Sequence, residues 1–235
     1  MKKFKSFIAL DLKSNTQNIS IVKKLYRHVY GFKVGYRSFY NNRSNELIAE
    51  IKKSKSKLFL DLKLHDIPNT VSSAIESLSN INPDFLTLHI SGGKEMMKAA
   101  VNSIKKNKLK TKILGVTLLT SLDGKDSEII YKERSTKKLV KKFTEIANNE
   151  NIHGLVCSGD DLKILAKYKK LIKITPGVKM FARNDDQKRV AFVHNAIQDG
   201  ANFVVIGREL IESKRPLDLL KKYGEQHKNK NLWTK

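Results

Sequence analysis

The chain has 235 residues, enough for one large domain or two small ones, and either can bury an adequate core. Hydrophobic residues make up 40% and charged residues 29%, the balance of a soluble globular protein, and no apolar run approaches the ~18 residues of a membrane span. Lysine and arginine number 46 against 23 aspartates and glutamates, a net charge of +23 with a pI near 9.9, which raises nucleic-acid binding as a possibility; the single cysteine, Cys157, excludes an internal disulfide and fits a reducing compartment.

From the N-terminus, Lys2 and Lys3 precede the apolar residues Phe7 to Leu10 in the manner of a secretory signal, but Asp11 interrupts the apolar run, so retention in the cytoplasm is expected. Phe7 to Asp11 reads as a strand. Asn15 to Tyr30 carries Ile19, Val22, Leu25, Tyr26 and Val29 at a helical period, and Phe32 to Tyr36 is a second strand containing Lys33. A helix over Ser44 to Lys53 leads to a third strand beginning at Phe59, and its helix runs from Pro68 to Asn80, where a proline without an N–H suits the first turn. Asp84 to His89, Thr111 to Leu118, His153 to Cys157, Leu171 to Thr175 and Phe203 to Ile206 continue the strands. Helices are expected over Lys94 to Lys106, Thr136 to Asn149, Leu162 to Tyr168, a segment holding Val190 to Ile197, and material reaching Tyr223. Thr120 to Ser135 and Pro176 to Asp186 read as long loops, and the polar tail from about Glu225 is expected to fray. Eight strand and helix units without a linker point to an α/β protein, a single (β/α)8 TIM barrel spanning residues 1–235; a doubly wound open sheet is the rival.

The third strand carries the chemistry. In extended backbone Phe59, Asp61 and Lys63 share one face while Leu60, Leu62 and Leu64 take the other, so a carboxylate and an ammonium project together with Asp66 just beyond. Charges set in such an apolar run are costly unless they meet each other or a ligand. The plain alternative is a strand ending in a surface salt bridge. In barrels of this type the active site lies at the C-terminal strand ends, which gathers Asp11, Lys33, Asp61, Lys63, Asp66, His89, Thr120 and both long loops onto one rim. Gly207-Arg208, after the last strand and ahead of a helix, is a candidate phosphate cradle. His89 is read as a wall residue and Cys157 as packed and inert. Gly92-Gly93 reads as a tight turn or a phosphate loop, and no histidine pair has metal-ligand spacing.

Ile8-Ala9-Leu10-Asp11, Lys33-Val34-Gly35, Asp61-Leu62-Lys63-Leu64-His65-Asp66-Ile67-Pro68-Asn69-Thr70, Leu119-Thr120-Ser121, Thr175-Pro176-Gly177 and Gly207-Arg208 together resemble orotidine 5′-phosphate decarboxylase of the compact bacterial kind, in order from about residue 7 to 212. The resemblance implies conversion of orotidine 5′-monophosphate to UMP and CO₂, the last step of UMP synthesis, with no metal and no organic cofactor. It implies a charged tetrad of Lys33, Asp61, Lys63 and Asp66, with Lys63 as proton donor. Asp11 and Lys33 would hold ribose hydroxyls, Thr120 would sit near the pyrimidine, and Gln187, Gly207 and Arg208 would grip phosphate. It further implies a homodimer in which Asp66, Ile67 and Thr70 reach the neighbouring subunit's site. One departure stands out: the family usually carries Arg where this chain has Lys179, which keeps the charge and loses the bidentate fork. Lys179 is expected to contact phosphate still, helped by Arg183.

Two other functions compete. Metal-dependent sugar-phosphate decarboxylases or aldolases resemble the chain around Asp61-x-Lys63-x-x-Asp66, but place a Glu metal ligand where Lys33 stands, and a cation there repels Mg²⁺. A basic nucleic-acid-binding protein is the distant alternative. Lysines spread over nearly every helix, Arg is sparse, and no zinc-finger, RRM or basic-zipper spacing occurs, so a solvated lysine-rich surface explains the charge and no specific nucleic-acid or membrane partner is expected.

Overall fold

Short apolar segments pair in parallel along the chain, separated by segments with a single apolar stripe. The computed structural model describes residues 2–181, 191–228 and 231–234. Its first half runs β1 (Phe4–Ala9), α1 (Asn15–Leu25), β2 (Val29–Gly35), α2 (Tyr36–Phe39), α3 (Ser44–Lys53), β3 (Lys57–Leu64), α4 (Pro68–Ser77), β4 (Phe85–His89), α5 (Lys94–Lys106) and β5 (Lys112–Val116). The second half runs α6 (Gly124–Tyr131), α7 (Thr136–Asn149), β6 (Gly154–Val156), β7 (Ile172–Thr175), β8 (Val178–Lys179), β9 (Ala191–Phe192), α8 (Val193–Gln198), β10 (Phe203–Ile206), α9 (Arg208–Ile211) and α10 (Pro216–Gln226). Eight strands close a barrel in the order β1, β10, β7, β6, β5, β4, β3, β2, and β8 pairs with β9 apart from it. This is the expected (β/α)8 architecture. The chain divides into two compact units, Met1–Asp61 with Thr175–Lys235, and Leu62–Ile174, so the divisions fall inside β3 and β7 rather than in linkers. Among the described residues no helix is long and apolar enough to cross a membrane.

In the first unit β2 lies between β1 and β3, with Ala9 opposite Lys33, Lys33 opposite Phe59 and Gly35 opposite Asp61. Register partners share a face, so Lys33, Gly35, Phe59 and Asp61 all project to one side. Phe7 anchors the same unit, its ring meeting Phe59 at 5.3 Å, Tyr30 at 5.5 Å and Phe203 at 5.6 Å in edge-on arrangements that suit aromatic quadrupoles. In the second unit β5 pairs with β4 and β6, and β6 with β7. There the His153 Nδ1 accepts the Ile113 amide at 3.1 Å, and burial lowers its pKa below the usual 6.5, with Lys112 and Lys105 adding to the effect.

Several expectations need correcting. The first helix ends at Leu25 because Val29 opens β2, three residues earlier than predicted. The polar loop over 120–135 contains α6. Asp123 caps it, accepting the Lys125 and Asp126 amides at 2.7 and 3.0 Å, while its apolar residues Ile129 and Ile130 are exposed and so leave no amphipathic signature. Leu162 to Tyr168 is a run of turns rather than a helix: Leu165 bonds Leu162, Ala166 bonds Lys163 and Tyr168 bonds Leu165, an i+3 spacing that buries Leu162 and Leu165 as well as an α-helix would. The buried Lys173 ammonium closes that run by donating to the Tyr168 carbonyl at 2.9 Å.

Among the described residues, 231–234 are docked rather than frayed. The Lys5 amide donates to Leu232 O and the Thr234 amide to Lys3 O, both at 2.8 Å, around an antiparallel bridge between Phe4 and Trp233. Leu232 is buried and the Trp233 ring meets Phe4 edge-on at 5.2 Å. Gly224 makes room for it, since a Cβ there would come within 2.6 Å of the indole. Two apolar residues in a polar tail are enough to dock it.

Trp233→Ala is expected to cost about 2–3 kcal/mol in urea unfolding, less than a fully buried Trp because the residue is partly exposed; a loss below about 0.5 kcal/mol would show a tail without a packing role. For His153 the folded pKa lies below the unfolded one, so between them the unfolded chain binds more protons and stability falls as pH falls. The urea midpoint should drop between about pH 7.5 and pH 5.5, and His153→Gln, which keeps an acceptor but does not titrate, should flatten that slope.

Candidate active site

At the C-terminal end of β2 the Lys33 ammonium stands between two carboxylates, 3.5 Å from Asp61 Oδ2 and 3.8 Å from Asp11 Oδ2. The Lys33 and Asp61 side chains are 12% and 13% exposed, so the pair is largely out of water, where an unpaired charge is costly. Gly35 creates the space: a Cβ on it would sit 3.3 Å from Lys33 Nζ and 3.6 Å from Asp11 Oδ1. Phe59, two residues before Asp61 on the same face, supplies an apolar floor that strengthens the attraction. Next to this cluster the Tyr36 hydroxyl has its pKa raised above 10.0, first by burial, then by the Asp61 charge and by Tyr40.

Two residues on, Lys63 leaves the strand geometry. Its φ of +43° lies in the left-handed region, which a residue with a Cβ enters at a cost of about 1–2 kcal/mol. The Lys63 amide donates to Thr87 Oγ1 at 2.8 Å, and Thr87 on β4 is fully buried. The alternation expected through Leu64 therefore ends at Lys63, and Leu64 is only partly buried. Beyond it His65 lies against His89, ring centroids 5.4 Å apart. Gly92 allows this packing, because a Cβ would press on Met96 and approach His65 Cδ2 to 3.0 Å.

His65 to Thr70 is exposed throughout. Asp66 turns one carboxylate oxygen to the Ile67 amide at 2.7 Å, and the Ile67 side chain is 67% exposed at the start of α4. Thr120 is exposed four residues past the end of β5. Gly207 precedes α9, a single turn from Arg208, so the helix dipole there is small and any grip on an anion depends on the amides and the guanidinium. Lys179 lies in β8. Immediately after it the Glu209 carboxylate accepts the Met180 and Phe181 amides at 2.7 and 3.0 Å, tying these two residues to α9. Gln187 and Arg183 fall outside the described residues. Cys157 is buried, as expected. Among the described residues no group of His, Cys, Asp or Glu is arranged to hold a metal ion.

The ion cluster thus joins Asp11, Lys33 and Asp61 in the first unit, while Lys63, Asp66, Ile67, Thr70 and Thr120 belong to the second. Residues overlooked in the sequence are Thr87 behind Lys63, Glu209 behind Met180, and the buried polar trio Asn15, Asn18 and Ser38. Only the trio left a signal, since Asn15, Asn18, Val22 and Leu25 form one helical stripe whose first two members are asparagines.

A family model described as Orotidine 5′-phosphate decarboxylase / HUMPS family matches residues 5–223. An orotidine 5′-phosphate decarboxylase from Wolbachia sp. subsp. Brugia malayi is 38% identical over 212 residues, covering 88% of this chain and 92% of that protein. One from Lawsonia intracellularis is 36% identical over 222 residues, covering 92% and 96%. The crystal structure of orotidine 5′-phosphate decarboxylase from Lactobacillus acidophilus superposes with a TM-score of 0.79 at 26% identity, covering 95% of this chain and 99% of that one. With matches of that extent and a barrel of the same architecture, the chain belongs to the orotidine 5′-phosphate decarboxylase / HUMPS family.

Proposed function

We propose that this chain decarboxylates orotidine 5′-monophosphate to UMP and CO₂, without metal or organic cofactor, in the cytoplasm. The observation that carries the proposal is the Lys33 ammonium held between Asp11 and Asp61, with Lys63 two residues further along β3. Breaking the C6–carboxylate bond leaves its electron pair on C6, where no conjugated carbonyl accepts the charge. Lys63 answers both needs: its ammonium offsets the developing carbanion and then gives C6 a proton, leaving a neutral amine that solvent reprotonates. A charge pair at 4 Å contributes ~4 kcal/mol at an effective dielectric of 20, below the ~8–23 kcal/mol that enzymes remove from a barrier. The rest is assigned to preorganised charges around Lys63 and to phosphate binding by Lys179, Gln187, Gly207 and Arg208, which uses contacts remote from the base to support chemistry there. Asp61 orients the lysines, Asp11 and Lys33 bind ribose hydroxyls, and Thr120 faces the pyrimidine.

The exposed run from His65 to Thr70 supports a shared-site homodimer. A β-branched apolar side chain and a carboxylate presented together at a helix start suit insertion into another subunit, and Asp66, Ile67 and Thr70 are assigned to the partner's site. The competing reading is a metal-dependent sugar-phosphate decarboxylase or aldolase on this barrel. Lys33 speaks against that reading here, since its ammonium stands beside the two carboxylates that would otherwise attract a divalent cation.

Orotidine 5′-monophosphate absorbance, followed with wild type and Lys63→Ala in the presence and absence of excess EDTA, tests the assignment. Wild type should turn over equally with chelator, and the variant should lose about a thousandfold or more. Turnover abolished by EDTA would favour the metal-dependent reading, and an active Lys63→Ala would remove the proton donor. Mixing Lys63→Ala with Asp66→Ala chains tests the shared site. In the mixed dimer one site is wild type, so with random exchange about a quarter of the wild-type rate should return; no return after proven subunit exchange would count against it.

A further inference from the structure

Three polar side chains that this function leaves unused lie within the first unit and are almost entirely buried: Asn15, Asn18 and Ser38. Asn18 Nδ2 lies 3.1 Å from Asn15 Oδ1 and 3.0 Å from Ser38 Oγ, and Asn15 Nδ2 donates to the Ser38 carbonyl at 2.9 Å. A satisfied network of this kind is rigid, and the low dielectric around it strengthens each bond. Its outward bonds converge on one short stretch of backbone. Ser38 Oγ donates to the Leu10 carbonyl, Asn18 Oδ1 accepts the Leu12 amide at 3.3 Å, and Asn18 Nδ2 reaches the Leu12 carbonyl at 3.4 Å. The residues on either side of Asp11 are therefore gripped from α1 and α2.

Asp11 needs such a grip. β1 ends at Ala9, and the Leu10 amide, bonded to the Lys33 carbonyl at 2.9 Å, makes the last ladder contact before Asp11. The Asp11 side chain is 45% exposed, so packing does not immobilise it either. On the outer side Arg37 Nη1 donates to the Asp11 carbonyl at 3.1 Å. Ser38 follows Lys33 by five residues through Gly35 and α2, so the network joins the two chain segments whose side chains form the Asp11–Lys33 pair.

We propose that Asn18 and Ser38 are positioning residues that hold the Asp11 carboxylate against Lys33. The inference rests on the assignment of Asp11 as a substrate contact. It is tested by a double-mutant cycle in which Asn18→Ala and Ser38→Ala are each made with and without Asp11→Ala, and KM, kcat and the thermal midpoint are measured. Each single variant should raise KM for orotidine 5′-monophosphate by about tenfold, and the same change in the Asp11→Ala background should move KM less than about twofold, because the group being positioned is gone. Any loss of melting temperature should persist in both backgrounds, which separates positioning from general stability. An equal KM effect in both backgrounds, or a wild-type KM in the single variants, overturns the proposal. Should Asn18→Ala fail to fold, Ser38→Ala, which removes one hydroxyl, completes the cycle. Crystal structures of the single variants read the same claim without turnover: the Lys33–Asp11 separation should open beyond 3.8 Å, and an unchanged separation overturns the proposal. A wild-type protein inactive on orotidine 5′-monophosphate would sink the functional assignment alone, since that separation is read independently.

Discussion

One ammonium shared by two carboxylates sets the terms for the strand ends around it. Lys33 is too buried to be left alone and too charged to be satisfied by the aromatic floor beneath it, so the chain must bring it acidic partners from both sides. β3 meets that demand by register, placing Asp61 opposite a glycine. β1 cannot, because Asp11 lies beyond its last paired residue, and the polar trio behind Leu10 and Leu12 takes over where the ladder stops. A rigid and a less regular support thus converge on the same ammonium.

The charge arithmetic differs sharply between site and surface. Asp11, Lys33 and Asp61 together carry one net negative charge, so three full charges are gathered with little net field. The net +23 is carried elsewhere, by lysines spread over helices, turns and loops alike. A positive surface attracts anions in general over the ~8–10 Å within which salt leaves a field effective, and it does not discriminate between them.

Strand order, helix spacing and the run from Asp61 to Thr70 were readable because each follows from a period or from charges whose burial demands a reason. What escaped had no such trace. α6 has its isoleucines facing solvent, so no periodicity marks it; the turns after Leu162 bury the same leucines a helix would; and two apolar residues near the end dock a segment whose composition is polar. The supports of the site were hidden for a different reason. Thr87 serves Lys63 through a main-chain amide, and Glu209 serves Met180 and Phe181 in the same way, so neither leaves a pairing of side-chain types for sequence to display. The left-handed turn at Lys63 was equally unreadable, since lysine is not a residue that signals it.

The bridge between Phe4 and Trp233 has a topological consequence. With the Lys3 carbonyl bonded to the Thr234 amide, the first and last described strands of backbone lie side by side, so the opening strand of the barrel and residues 232–234 can separate only together with the bridge that joins segments more than 220 residues apart in sequence.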